Sequence, residues 1–243
     1  MVTKTNDGYM LLLDALFFDN KKIGDIADKG ADWGGDDTEY TKLFAAQKRT
    51  APVKKIKKKD ATNLLSFSMI QLVAQNCADL MGGSVEGEKW NAPSESVQKE
   101  GPVKILCGTG QTIEICRASL DGAVRGNIGG DTALAIDTKL EVLTPTGGGS
   151  PYSIYPTTPF IESDVAEISF KKSGESKIIN IAASGPFSAG TPPEGFTVDV
   201  EDGRIYVTAA ANTGSTEKTG SLVFTLAADA TKTVEVNLSQ AGA

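Results

Sequence analysis

The sequence predicts a mainly β protein in two parts: a larger N-terminal β domain with one short helix, and a small antiparallel β-sandwich at the C-terminus. Three observations carry this. Apolar and polar residues alternate with period two along much of the chain, as in Leu65, Phe67 and Met69 or Ile205, Val207 and Ala209, which marks strands with one buried face. A longer period replaces it where Val73, Cys77, Leu80 and Met81 recur at i, i+4, i+7 and i+8, one stripe of a short helix. Finally, Pro145–Ser163 (PTGGGSPYSIYPTTPFIES) holds four of the ten prolines and a Gly-Gly-Gly run, the composition of a domain boundary. The division is thus 1–144, a linker over 145–164, and 165–243.

Composition narrows the class. The chain has 243 residues, 40% hydrophobic and 23% charged, as soluble globular proteins do. No apolar run approaches the ~20 residues of a membrane span. The start, MVTKTNDGYM, has no basic region leading into an apolar core and does not read as a signal peptide. Cys77, Cys107 and Cys116 make neither a disulfide framework nor a C-x-x-C metal site. Synthesis and folding in a reducing cytoplasm are expected. Before Ile161 there are 20 acidic and 18 basic residues, and after it 11 and 6. Neither part has the broad basic face of a nucleic-acid reader.

Tyr9–Phe18 (YMLLLDALFF) is the first strand, Asp19-Asn20 a turn, and Ile23 and Ile26 open a return strand. GDIADKGADWGGDD from Gly24 to Asp37 has no clear period and reads as an acidic loop anchored by Trp33. The spacing of an EF-hand calcium loop is missing from it. Its carboxylates, Asp25, Asp28, Asp32, Asp36 and Asp37, continue into Glu39. Next come EYTKLFAAQKRTA and, after Pro52, Lys54, Lys55, Lys57, Lys58 and Lys59. These suggest a long basic hairpin with its tip near Arg49–Pro52. A lysine run on an exposed strand is commonly a solvated face that deters aggregation, and no interleaved aromatics support nucleic-acid stacking.

Asn63–Met69 is a strand with Leu65, Phe67 and Met69 inward. The phase slip at Ile70 implies a bulge or a strand covered on both faces. The helix then ends at Gly82-Gly83, a left-handed stop. Ser84–Pro102 reads as an irregular excursion, followed by strands over Val103–Cys107 and Thr112–Leu120. Asp121-Gly122 reads as a hairpin turn, and Asn127–Gly130 as a further bend. The strand over Thr132–Thr144 puts Leu134, Ile136, Leu140 and Val142 on one parity and Asp137, Lys139 and Glu141 on the other. Beyond the linker, six short alternating strands are punctuated by Asp202-Gly203, Asn212-Thr213-Gly214 and Asp229. That pattern is an immunoglobulin-type sandwich without the cysteine pair or core tryptophan of antibody domains.

Catalytic chemistry has few candidates. The chain contains no histidine, the commonest general base. There is no G-x-S-x-G elbow or P-loop, and Gly108-Thr109-Gly110 leads into a strand rather than a helix. No catalytic residue, metal or cofactor is assigned, and an enzyme is not expected.

Two resemblances remain. LLLDALFFDNKKIGDI, the acidic stretch, the basic hairpin and FSMIQLVAQNCADLMGG, in that order, resemble siphophage tail tube proteins over about two-thirds of the chain. GRIYVTAAANTGSTEKTGSLVFTL and VEVNLSQAGA resemble a BACON-type immunoglobulin-like module. The first resemblance implies a tail-tube β-sandwich or barrel and a virion structural protein. Its copies form hexameric rings that stack into a tube, contact other tail proteins and let DNA pass without specific binding. It implies assembly in the bacterial host cytoplasm and residence in the virion tail. The second implies an outward decoration, with at most a weak glycan contact, since no tryptophan follows Trp90. On this reading the lysines of the hairpin dock on the Asp25–Glu39 carboxylates of the next subunit. The polar parity of Glu114, Asp137, Lys139 and Glu141, net negative, faces the lumen, because a lysine-rich wall would hold phosphates. The competing assignment lines the lumen with the serines of the Leu64 strand. The alternative function is a secreted or cell-surface carbohydrate-binding protein.

Overall fold

The computed structural model describes residues 8–129, 133–201 and 204–242. The protein is mainly β and divides into two units, neither continuous in sequence. One comprises Met1–Ile23, Pro102–Glu114 and Ser153–Ala243; the other comprises Gly24–Gly101 and Ile115–Tyr152.

In the first unit, β1 (Leu13–Phe18) turns back into β2 (Lys21–Lys22). Asp19 and Asn20 both lie at positive φ, 51° and 59°, as a two-residue hairpin turn requires. β1 is shorter than the apolar run Tyr9–Phe18, and Tyr9, Leu11 and Leu12 ahead of it are exposed.

In the second unit, β3 (Ile26–Gly34) replaces the expected acidic loop. It pairs antiparallel with β6, the strand of Leu64–Met69, and the register shifts between Ile26 and Ala31. That irregularity hides the period from the sequence. After it, Ala31 and Trp33 turn partly inward, while Asp32 and Gly34 stay exposed. β4 (Glu39–Leu43) and β5 (Lys54–Lys59) form a separate two-stranded hairpin. Along β6, Leu65, Phe67 and Met69 are buried, each side chain contributing ~1.5–3 kcal/mol. At Ile70 there is neither a bulge nor a doubly covered strand. β6 simply ends, and the Ile70 N–H donates to Asp25 O at 2.8 Å.

Helix α1 (Ala74–Met81) buries Asn76, Cys77, Leu80 and Met81. Val73 precedes the first turn and is exposed; Asn76 takes the inward place, its Nδ2 donating to Gln71 O at 2.9 Å. The Lys99 ammonium donates to Ala78 O at 2.7 Å and Asp79 O at 2.8 Å, placing a cation at the helix C-terminus, where Ala78 O also accepts from Gly82 N at 2.9 Å. The stretch after Gly83 is not wholly irregular: β7 (Ser84–Glu86) and β8 (Lys89–Asn91) form a small hairpin. Trp90 Nε1 donates to Gly82 O at 2.8 Å.

β9 (Lys99–Cys107), β10 (Gln111–Arg125) and β11 (Ala135–Val142) follow. Asp121-Gly122 is not a turn but lies inside β10, paired with Lys139 and Thr138 of β11. A Cβ on Gly122 would sit 3.3 Å from both Ile136 Cγ2 and Met81 Cγ. Glycine is there so that α1 can approach the sheet. The reversal comes later, between Arg125 and Ala135, with Gly126 at φ 107°. Asn127–Gly129 lie in that connection, whereas Gly130 and Thr132 fall outside the described residues. β10, β11, β6 and β3 are neighbours in that order; their inward residues include Leu65, Phe67, Leu120, Ile136 and Leu140.

The stretch read as a linker contains β12 (Tyr152–Pro156) and β13 (Ile161–Ser163). The sandwich continues through β14 (Glu167–Phe170), β15 (Glu175–Ala183), β16 (Phe187–Ala189), β17 (Phe196–Glu201), β18 (Arg204–Ala209), β19 (Lys218–Leu226) and β20 (Thr233–Gln240). All six strands expected from alternation are present, with β13 and β16 in addition. The strands form two four-stranded sheets, β13-β15-β18-β17 and β14-β20-β19-β16. Ile179, Ile205, Leu222, Phe224 and Val236 are all at 0% exposure between them. The Asn212 and Asp229 turns are in place, with Gly214 N donating to Asn212 Oδ1 and Thr231 N to Asp229 Oδ1. Asp202-Gly203 lies outside the described residues.

Candidate functional site: a basic hairpin and an acidic sheet face

Every residue of β4 and β5 is exposed. The pairing sets Tyr40 opposite Lys57, Thr41 opposite Ile56, Lys42 opposite Lys55 and Leu43 opposite Lys54. Apolar side chains therefore stand among the lysines. Phe44 and Val53 are each 54% exposed, and Tyr40, Leu43 and Ile56 more than 40%. The Lys55 ammonium lies 3.5 Å from the Tyr40 ring centroid, a cation–π contact.

The root of the hairpin is fixed at Gly35, whose φ is 137° and whose Cβ position is occupied by Thr62 O. Asp36 N donates to Thr62 Oγ1 at 2.8 Å, and Thr62 N to Asp36 O at 3.0 Å. This root brings part of the acidic and basic sets together within one chain. Lys59 Nζ lies 2.9 Å from Asp36 Oδ2, and Lys58 Nζ lies 3.7 Å from Glu39 Oε2. Lys57 pairs with Asp60 at 2.5 Å. Hydrogen bonds to Asp36 and Asp60 raise the Lys59 and Lys57 ammonium groups above the ordinary lysine value. Asp25, Asp28 and Asp37 are exposed and, among the described residues, form no salt bridge.

The remaining acidic residues are organised by the sheet. Register places Asp121 of β10 beside Lys139 of β11, Lys139 beside Ser66 of β6, and Ser66 beside Asp32 of β3. One step along, Ala123, Asp137 and Ser68 are neighbours, and on the other side Ser119, Glu141 and Leu64. Directly paired residues share a face of a sheet, so all of these lie on one face. Ser68 Oγ donates to Asp137 Oδ1 at 2.6 Å. The two competing assignments, acidic parity or serine strand, are therefore a single surface. It displays Asp32, Asp121, Asp137 and Glu141 around Lys139, all exposed. The opposite parity of β11, with Ile136 and Leu140 at 0% exposure, faces α1.

Glu114 does not join this row. It is half-buried in the other unit, where the Tyr155 hydroxyl donates to its Oε2 at 2.9 Å. Burial, and then this carboxylate, push the Tyr155 phenol up to about 12. Asp32 and Asp121 are the members that sequence reasoning misplaced, in a loop and a turn. The alternation Ala31-Asp32-Trp33-Gly34 was the signal for the first of them.

Two surfaces result: an exposed hairpin that is basic and apolar, and a sheet face with an acidic excess. Among the described residues no group of three or more His, Cys, Asp or Glu could hold a metal ion. No protein-family model matches the chain, and no curated protein matches it.

Proposed function

We propose that the protein is a structural subunit of the siphophage tail-tube kind, assembled in the host cytoplasm and resident in the virion tail. The reading rests first on the resemblance in the order of its segments. The observation that carries it is the β4–β5 hairpin, exposed on every residue. An isolated two-stranded hairpin is marginal in water, and this one holds Tyr40, Leu43, Phe44, Val53 and Ile56 in solvent. Docking on another copy gives it a surface and removes that apolar area from water. The edge strand β3, paired only with β6 among the described residues, offers backbone groups for a neighbouring sheet. Rings joined in this way stack into a tube, DNA passes along the acidic face, and the C-terminal sandwich stands outside.

The test is assembly. Size-exclusion chromatography with light scattering should detect large species that grow with concentration and shrink at high salt, where exposed charge pairs are screened. Each such pair contributes only ~0.2–1 kcal/mol, but the pairs recur at every contact around a ring. Reversing Lys55, Lys57 and Lys58 to Glu should abolish or strongly slow growth. A monodisperse monomer under every condition, or assembly indifferent to both changes, refutes the reading.

A further inference from the structure

Residues 152–163 have the composition of a tether, yet four of their side chains are bound to β1, β9 or β10 or the turn between them. The Tyr155 hydroxyl donates to Glu114. Thr157 Oγ1 lies 2.9 Å from Thr112 Oγ1, and its N–H donates to Gly110 O at 3.0 Å. Phe160 packs on Phe17 of β1, Leu106 of β9 and Ala182 of β15, and the last three residues are 3%, 4% and 0% exposed. The Lys104 ammonium of β9 sits 4.2 Å from the Phe160 ring centroid. It also donates to both oxygens of Glu162, at 3.0 and 2.9 Å. Two hydrogen bonds join the far side: Ser184 N donates to Phe160 O at 3.0 Å, and Phe160 N to the Ser184 Oγ at 3.0 Å. The Asp164 carboxylate then accepts from Asn180 N and Nδ2, at 2.9 and 2.7 Å.

We infer that this segment is a clamp: β1, β9 and the C-terminal sandwich open and close as one cooperative unit, so force or binding on the sandwich is transmitted to those strands. The reason is burial. Phe17 and Leu106 point out of β1 and β9 onto a residue of β15, so moving the sandwich away exposes both to water. It also leaves Lys104, whose side chain is only 12% exposed, without its carboxylate. A flexible tether would cost neither, and units that share buried contacts exchange amide protons together.

Hydrogen exchange on the full chain tests this without any need for assembly. Phe224→Leu loosens the sandwich core at a residue that is 0% exposed and belongs to the core cluster between the two sheets, separate from the Phe17, Leu106 and Ala182 cluster. It should speed exchange of the Leu16–Phe18 and Val103–Leu106 amides by ~10-fold or more, in step with those of Leu222–Leu226. Should Phe224→Leu fail to fold, Val236→Ala serves in its place. With Phe160→Ala and Lys104→Met added, β1 and β9 should cease to follow the sandwich. Unchanged exchange in β1 and β9 while the sandwich amides accelerate overturns the inference, as does tracking that persists after the clamp side chains are removed.

Discussion

At the scale of single residues, Lys104 and Glu162 form a pair whose halves differ in environment. The lysine side chain is 12% exposed and the glutamate side chain 44%. Removing either charge breaks the same contact but strands a different partner. Lys104→Met leaves a carboxylate that water already reaches and should cost under ~1 kcal/mol. Glu162→Gln leaves a nearly buried ammonium without an anion and should cost about 2–3 kcal/mol. Urea unfolding of the two variants measures the difference. Equal costs would mean that Lys104 is better solvated than its burial indicates.

At the scale of elements, the contact between α1 and β10 passes through a position with no side chain. An ideal Cβ at Gly122 already approaches Ile136 Cγ2 and Met81 Cγ at 3.3 Å, and a branched side chain adds two carbons to that space. Gly122→Val should therefore destabilise by ~1–3 kcal/mol, despite the β-propensity of valine, and lower the melting temperature. A neutral substitution would contradict the packing of α1 on the sheet. The same residue explains where sequence reading failed. Asp-Gly is a turn signal only when the strand has reason to stop, and here the partner strand β11 continues past it with Lys139 and Thr138 in register. β3 was hidden for the opposite reason, because its irregularity between Ile26 and Ala31 breaks the alternation. The alternating stretches of β6, β18 and β19 were legible from their period, whereas the stop of β6 at Met69 and the first half of β19, Lys218–Ser221, were not; α1 was legible to within a residue. The basic hairpin was legible from its lysines and Pro52. Its internal pairs with Asp36 and Glu39 were not, since they depend on the turn at Gly35.

At the scale of the whole molecule, the proline- and glycine-rich boundary and the self-contained strands of 165–243 lead to the expectation of an outward decoration, which truncation after Phe160 would remove without harm. The packing leads to a different expectation. Truncation there removes Ala182 and Glu162, baring Phe17 and Leu106, now 3% and 4% exposed, and isolating the Lys104 ammonium. The truncated chain should be largely insoluble or aggregated when the soluble fraction is measured against the full chain; a soluble, assembling truncation would return the sandwich to the status of an appendage. As proposed, copies of this chain build a tube whose inner wall is the Asp32, Asp121, Asp137 and Glu141 face. Cryo-electron microscopy of the concentrated protein tests it most directly. Stacked rings around a hollow lumen are expected, with the carboxylates of Asp137 and Glu141 facing inward and the β4–β5 hairpin covered by another copy. Particles that stay monomeric, or tubes that carry those two carboxylates on the outer wall, would contradict it.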